Sequence, residues 1–228
     1  MKFVEAGGTL MVEGSTSMIL PEYGLTTGIT VEDPSGLFAR GSVMRGMISD
    51  KQSPLAYGYD GDQVPVYFSQ SPVLNAGGGI PSEFAAFFGG GGGPSQNITP
   101  MANRLQLSPW EADSTQVAGG GPGSRPGGQG PDVAAFRDMA RSFGVNLDES
   151  RPRVVMQFPA NPNDMLLSGT LAGGQALANR AQLIDAALGQ GHVVMFAIRP
   201  FWRWQTQGTF FLGFNAILNW NDLDAGDR

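Results

Sequence analysis

Two arginines and two tryptophans crowd one short stretch of this chain: Arg199, Trp202, Arg203 and Trp204, followed by Gln205 and Gln207. A guanidinium can grip a carboxylate with two parallel hydrogen bonds. An indole offers a flat apolar plate, and mixed Trp–Arg clusters favour protein interfaces. Two readings of residues 199–207 stand side by side. In one they face a partner or ligand, a protein surface in preference to a small-molecule pocket. In the other they fold back on their own domain, with Arg199 capping carbonyl groups.

Other reactive groups are few. The chain has one histidine, His192, and no cysteine. Without cysteine there are no disulfides, no thiolate metal ligands and no thiol nucleophile. His192 opens an apolar run, where a core or strand-end role is commoner than ligation. Ser168 precedes Gly169, but no G-x-S-x-G elbow surrounds it and nothing pairs it with His192. Asp60-Gly61-Asp62 lacks the remaining ligands of a calcium loop and reads as a solvated turn. The glycine tracts contain no G-K-[ST], so none is a phosphate loop. Glu13, Ser15, Thr16 and Ser17 form either a ligand-facing edge or a turn with capping hydroxyls. No pair of carboxylates stands out for glycoside hydrolysis.

The elements that must position the 199–207 stretch are the most strongly specified in the chain. Residues 182–188 and 192–198 read as two strands joined by Gly189-Gln190-Gly191, a hairpin link. The second run is almost wholly apolar, so it belongs in the middle of a layered sheet, buried on both faces. After the 199–207 loop comes a helix. Phe210, Phe211, Phe214, Ile217 and Leu218 form a stripe at helical spacing, expected to dock on the sheet, with Asn215 and Asn219 off it. Gly208 and Gly213 are expected to let the backbone approach a neighbour closely.

Earlier, a helical turn ends at Gly7-Gly8 and a short buried strand follows at 9–12. Residues 41–48 alternate as a strand, 53–58 mark a turn, and 64–68 form a strand pushed toward a sheet edge by Pro65. Later come a helix over 132–143 capped by Asp132, a strand at 153–158 and a turn at Asn161-Pro162-Asn163. The chain divides into 1–75, the first part of an α/β domain; 76–131, a Gly/Pro-rich low-complexity insert; 132–221, the second part; and a tail at 222–228. Gly (34) and Pro (16) make up about 22% of the 228 residues, against roughly 12% in average usage. That excess sits in the insert, whose apolar content is too low to offset the entropy of ordering it.

The net charge is −6, and the two lysines, Lys2 and Lys51, lie far apart. A duplex-binding surface needs clustered basic side chains, so nucleic acid is not an expected partner. No apolar run is long enough for a membrane span, and the opening residues lack the apolar core of a signal peptide. They read as the end of a helix entering a strand, so the chain is expected to be a fragment.

Five segments carry a resemblance: FVEAGGTLMVEG (3–14), SPLAYGYDGDQVPVYFSQSPVL (53–74), LLSGTLAGG (166–174), LANRAQLIDAALGQGHVVMFAIRP (177–200) and QTQGTFFLGFNAIL (205–218). In this order they resemble the C-terminal region of large bacterial zinc carboxypeptidases of the carboxypeptidase A-like family. That region lies after the peptidase domain and is similar to a class I glutamine amidotransferase-like domain. The resemblance implies a flavodoxin-like open α/β sheet with its first strands upstream. It implies a non-catalytic accessory domain of a metallocarboxypeptidase-like protein, the parent reaction being peptide hydrolysis. It further implies the parent's peptidase domain and a peptide substrate as partners, zinc in that peptidase domain and no cofactor here, and a periplasmic or extracellular site. A zinc peptidase centre needs two histidines with a carboxylate, plus a glutamate base; one histidine cannot supply it. A class I amidotransferase needs a cysteine, and there is none. The alternatives are a degenerate hydrolase or sugar-processing enzyme using the same crevice, or an inert structural domain.

Overall fold

The structure, a computed structural model, describes residues 2–23, 25, 26, 28–76 and 152–226. The insert beyond Ala76 and the helix expected over 132–143 lie outside the described residues. The hairpin closes as the glycines demand: Leu188 pairs with Gly191, leaving Gly189 and Gln190 as the turn. Gly191 is required by close approach, since a Cβ there would sit 2.2 Å from the Gly8 and Val4 carbonyl oxygens.

This hairpin joins β8 (Ala181–Leu188) to β9 (Gly191–Phe196). It belongs to a mixed, open nine-stranded sheet of an α/β fold. The other strands are β1 (Thr9–Glu13), β2 (Ile29–Glu32), β3 (Ser42–Ile48), β4 (Gln63–Phe68), β5 (Val73–Ala76), β6 (Arg153–Gln157) and β7 (Leu166–Ser168). The helices are α1 (Lys2–Glu5), α2 (Ile19–Glu22) and α3 (Phe210–Leu218). The strand order is β1-β9-β8-β6-β3-β4, with β7 on β3, β5 on β8 and β2 on β5. Among the described residues β1–β9 is the one parallel pair, and the rest are antiparallel.

β9 is buried on both faces, as its apolar run predicts, although it stands beside the margin strand β1 and not in the middle of the strand order. Val194, Phe196 and Ile198 enter one core layer with Met44, Phe68, Phe158, Leu212 and Ala216. Val193, Met195 and Ala197 enter the other with Val4, Leu20, Ile29, Leu74 and Ile184. Alternate side chains of one strand thus serve two layers. β4 lies at the margin of the strand order, and its Pro65, opposite Arg45, suits an edge. β3 alternates buried and half-buried along its whole length.

Two boundaries move. Ala76, the first residue of the expected insert, completes β5 opposite Ile29. The expected tail is tied down, with Leu223 buried in the first core layer. Strand β2 had no clear sequence signal, because ITVE is short and is completed only by pairing with β5.

The face of α3 needs a larger correction. The expected stripe points outward: Phe211 is 61%, Phe214 48%, Ile217 55% and Leu218 75% exposed. The buried face is Leu212, Gly213 and Ala216. Small residues win because they allow closer approach: a Cβ on Gly213 would lie 2.2 Å from Phe201 Cζ. Asn215, expected off the packed face, holds the rotation by donating from Nδ2 to the Leu55 and Tyr57 carbonyls at 3.1 and 2.8 Å. Gly208 has no comparable neighbour, its nearest contact being Val64 Cγ1 at 3.7 Å.

Candidate functional site

Because β1 and β9 run parallel, the loops leaving their carboxyl ends emerge at the same edge of the sheet. Such an edge is where open α/β sheets usually bind ligands. The first loop begins at Gly14, in the left-handed region at φ +54, and the Arg199 side chain lies over it, so that a Cβ there would be 3.1 Å from Arg199 Nε. Ser17 is fully buried, its hydroxyl donating to the Phe196 carbonyl at 2.8 Å. Thr16 bonds back to Glu13 through its hydroxyl at 2.6 Å. Thr16 therefore acts as a turn-capping hydroxyl, whereas Ser17 ties the loop to β9.

The second loop is built around Trp202. Its ring stacks on Tyr67 of β4 with centroids 5.3 Å apart and 18° between planes. The guanidinium carbons of Arg199 and Arg203 lie 4.8 and 4.9 Å from the same indole. Cations favour an aromatic face in this way. The Arg199 N–H donates to the Tyr67 carbonyl at 3.2 Å, which joins the loop to β4. The indole of Trp202 is thus occupied by the protein's own groups. Trp204 is different: it is 77% exposed, with its ring centroid 6.1 Å from that of Phe210 on α3 and the two planes tilted by 60°. Arg203, Gln205 and Gln207 are exposed beside it.

The loop backbone is strained. Arg203 (φ 45), Trp204 (φ 60) and Thr206 (φ 52) all occupy the left-handed region without being glycine. Each such residue is uncommon, and a β-branched threonine is a true outlier. The loop is held by Thr209, whose buried hydroxyl lies 2.7 Å from both the Pro200 and Thr206 carbonyls. Gln205 N–H also donates to the Trp202 carbonyl at 2.8 Å. No signal in the sequence marks these φ angles, since no glycine stands at the three positions.

A second polar cluster lies near the amino end of β9. His192 Nδ1 is 2.9 Å from Asp185 Oδ1, and its Nε2 is 3.3 Å from Asp224 Oδ1. Arg153 pairs in register with Asp185, binds Asp50 at 2.5 Å, and donates to the Leu223 and Ala225 carbonyls at 3.3 and 2.9 Å. Burial pushes the Asp185 carboxyl up. Desolvation pulls the His192 pKa down, but the hydrogen bond and charge of Asp185, with Asp224, outweigh it and hold the imidazole above its ordinary value. Ser168 is exposed on β7, which pairs with β3, and β6 and β8 intervene before β9; the histidine and the serine are not brought together. At the Asp60–Asp62 turn, Lys51 Nζ takes the Asp60 carbonyl at 3.0 Å and the Asp62 carboxylate at 2.5 Å. Among the described residues no group of three or more His, Cys, Asp or Glu is placed to hold a metal ion, and no helix is long and apolar enough to cross a membrane.

Comparison with family models, with curated proteins and with solved structures found no match.

Proposed function

We propose that this chain is a non-catalytic accessory domain that docks on a folded partner, the peptidase domain of the zinc metallocarboxypeptidase-like protein it resembles. The docking surface is the outward face of α3 together with the exposed part of the 199–207 loop. One observation carries this: a single face of α3 presents Phe211, Phe214, Ile217 and Leu218 to solvent. The patch continues through Phe214 and Phe210, 6.3 Å apart, to Trp204. Contiguous exposed apolar surface of this kind marks interaction sites. Arg203, Gln205 and Gln207 supply a polar rim beside it, the usual anatomy of an interface. The absence of cysteine and the single histidine, engaged by Asp185 and Asp224, argue for a supporting role over a reaction centre.

The finer fold reading, a flavodoxin-like sheet of the class I amidotransferase-like type, belongs to the same proposal. It rests on the sequence resemblance and on the parallel β1–β9 pair with both loops at its carboxyl end.

The test mixes the chain with a carboxypeptidase A-like zinc peptidase domain of the resembled family and follows complex formation by sedimentation velocity. Phe214→Glu with Ile217→Glu should weaken the complex at least tenfold, about 1.4 kcal/mol, while leaving the isolated chain folded. Zinc-dependent peptide hydrolysis by this chain alone, or binding indifferent to both substitutions, overturns the proposal. A degenerate hydrolase is favoured by one observation, the strained residues at the strand-end loop. In that case Arg203→Ala would abolish turnover of a substrate and leave partner affinity unchanged.

A further inference from the structure

The arginines drawn into the body of the fold are each held by an oxygen. Arg153 pairs with Asp50 at 2.5 Å, Arg180 with Glu32 at 2.9 Å, and Arg45 Nε donates to the Asp164 carbonyl at 2.9 Å. Arg199 is the exception. It is half-buried, yet among the described residues its guanidinium has neither a carboxylate nor a carbonyl partner. The same holds for Arg203. The chain carries a net charge of −6, so acids are plentiful, but no described one stands beside this pair.

The Arg199 side chain is fixed nonetheless. It crosses Gly14, where a Cβ would lie 3.1 Å from Nε and 3.4 Å from Cγ. Gly14 is buried and left-handed at φ +54, so the position calls for glycine and leaves room for the arginine. Beyond Gly14 the guanidinium carbon sits 4.8 Å from the Trp202 ring. Arg203 reaches the same ring, at 4.9 Å, from a left-handed backbone of its own at φ 45. Two cations held to one indole lie within about one Debye length of each other. Their fields add instead of being screened, and each half-desolvated guanidinium keeps donors to spare.

The geometry points to an oxyanion site, in which Arg199 and Arg203 together grip one carboxylate or phosphate group beside Trp202. A guanidinium meets either group with two parallel N–H···O bonds. The place is the carboxyl end of the parallel β1–β9 pair, the edge where open α/β sheets bind ligands. Left-handed backbone at Arg203, Trp204 and Thr206 gathers at the same point, and such strain collects at ligand sites. Exposed Trp204 offers an apolar plate for the remainder of the ligand. This site shares Arg203 with the docking surface proposed above but does not rest on it. Anion binding is read on the isolated chain, whereas docking is read only with the partner present.

The test follows the arginine Nε–H resonances of the isolated chain by NMR at low salt, while inorganic phosphate, acetate or chloride is added. Phosphate and acetate should shift the Arg199 and Arg203 signals saturably at millimolar concentration, and chloride at equal ionic strength should not. Arg203→Lys keeps the charge but loses the two-pronged donor, and should weaken binding roughly tenfold with an unchanged circular dichroism spectrum. Gly14→Ala should weaken it as well, by pushing Arg199 aside. Should that variant unfold, Arg199→Lys makes the same test at the side chain itself. Tighter binding of phosphate assigns a phosphoryl ligand, and tighter binding of acetate a carboxylate. Shifts that follow ionic strength alike for all three salts overturn the proposal. A saturable site that ignores both lysine substitutions also overturns it, because the anion then lies elsewhere.

Discussion

His192 and Asp185 face each other diagonally across the β8–β9 hairpin, Nδ1 to Oδ1 at 2.9 Å, and the far side of the same imidazole reaches Asp224 at 3.3 Å. One ring thus links two adjacent buried strands to the last described residues of the chain. Arg153 does the same from β6, binding Asp50 with one edge of its guanidinium and the Leu223 and Ala225 carbonyls with the other. The C-terminal segment is latched to the sheet by charge, while Leu223 supplies its one deeply buried apolar contact.

The latch makes stability depend on pH. Both Asp185 and His192 are held above their ordinary values of 3.8 and 6.5. A raised folded-state pKa means that the folded chain holds the proton more tightly than the unfolded one. The contribution is therefore complete below the unfolded value and is lost as pH climbs through the folded value. Urea midpoints should fall as pH rises from the ordinary imidazole value through the raised one of His192. In His192→Gln the slope over that range should disappear. An unchanged slope would place the titration elsewhere.

Asp50 acts in the opposite direction. Burial opposes its ionisation, but the Arg153 hydrogen bond and charge, with the Gln52 and Ser53 N–H groups, hold its carboxyl below 3.8. Its contribution is present above that value and is lost as pH falls through the lowered one. Arg153→Leu removes the partner of a half-buried carboxylate and two carbonyl contacts, which should cost about 3 kcal/mol. The same substitution should raise the Asp50 pKa, read by carboxyl-carbon NMR titration.

Gly213→Ala inverts the usual helix preference. Alanine is the better helix former by about 1 kcal/mol, yet the new methyl would meet Phe201 Cζ at 2.2 Å. Overpacking of this kind costs about 1–3 kcal/mol, so the variant should be less stable. Phe201→Leu should relieve much of that cost in a double-mutant cycle measured by denaturant unfolding. Additivity would show that the ring and the glycine do not compete for one space.

The two tryptophans of the loop should behave differently. Trp202 is flanked by Tyr67, Arg199 and Arg203, so Trp202→Ala should lose about 2 kcal/mol, below the full cost of a buried tryptophan. Trp204→Ala removes an exposed ring and should change stability by less than about 0.5 kcal/mol. Equal losses would mean that Trp204 is packed in solution.

Much of the framework was legible in the residues. Continuous apolarity marked 192–198 as buried on both faces, though not that its strand would lie beside the margin; Pro65 marked an edge, and the glycines at 7–8 and 189–191 marked a cap and a hairpin. Those signals are local, because periodicity and backbone permission are properties of neighbouring residues. The pattern of 210–218 misled, since a hydrophobic stripe states which residues would gain by burial and not which face is offered a neighbour. The 199–207 stretch was legible as a cluster of types, but the division between a packed Trp202 and an outward Trp204 was not.

By itself the sequence determined what chemistry is missing: with one histidine and no cysteine, neither a thiol nucleophile nor a histidine-rich metal centre can be assembled. It also marked strands at 182–188 and 192–198, which the structure realises as β8 and β9, the latter ending at Phe196. Only the tertiary structure decided which groups meet across long separations, namely His192 with Asp224, Arg153 with Asp50, and Arg199 with Gly14. It alone rotated α3 so that Gly213 and Ala216 face inward. The physical reason is that close packing and buried hydrogen bonds depend on the shape of the opposing surface, which residues distant in the chain supply.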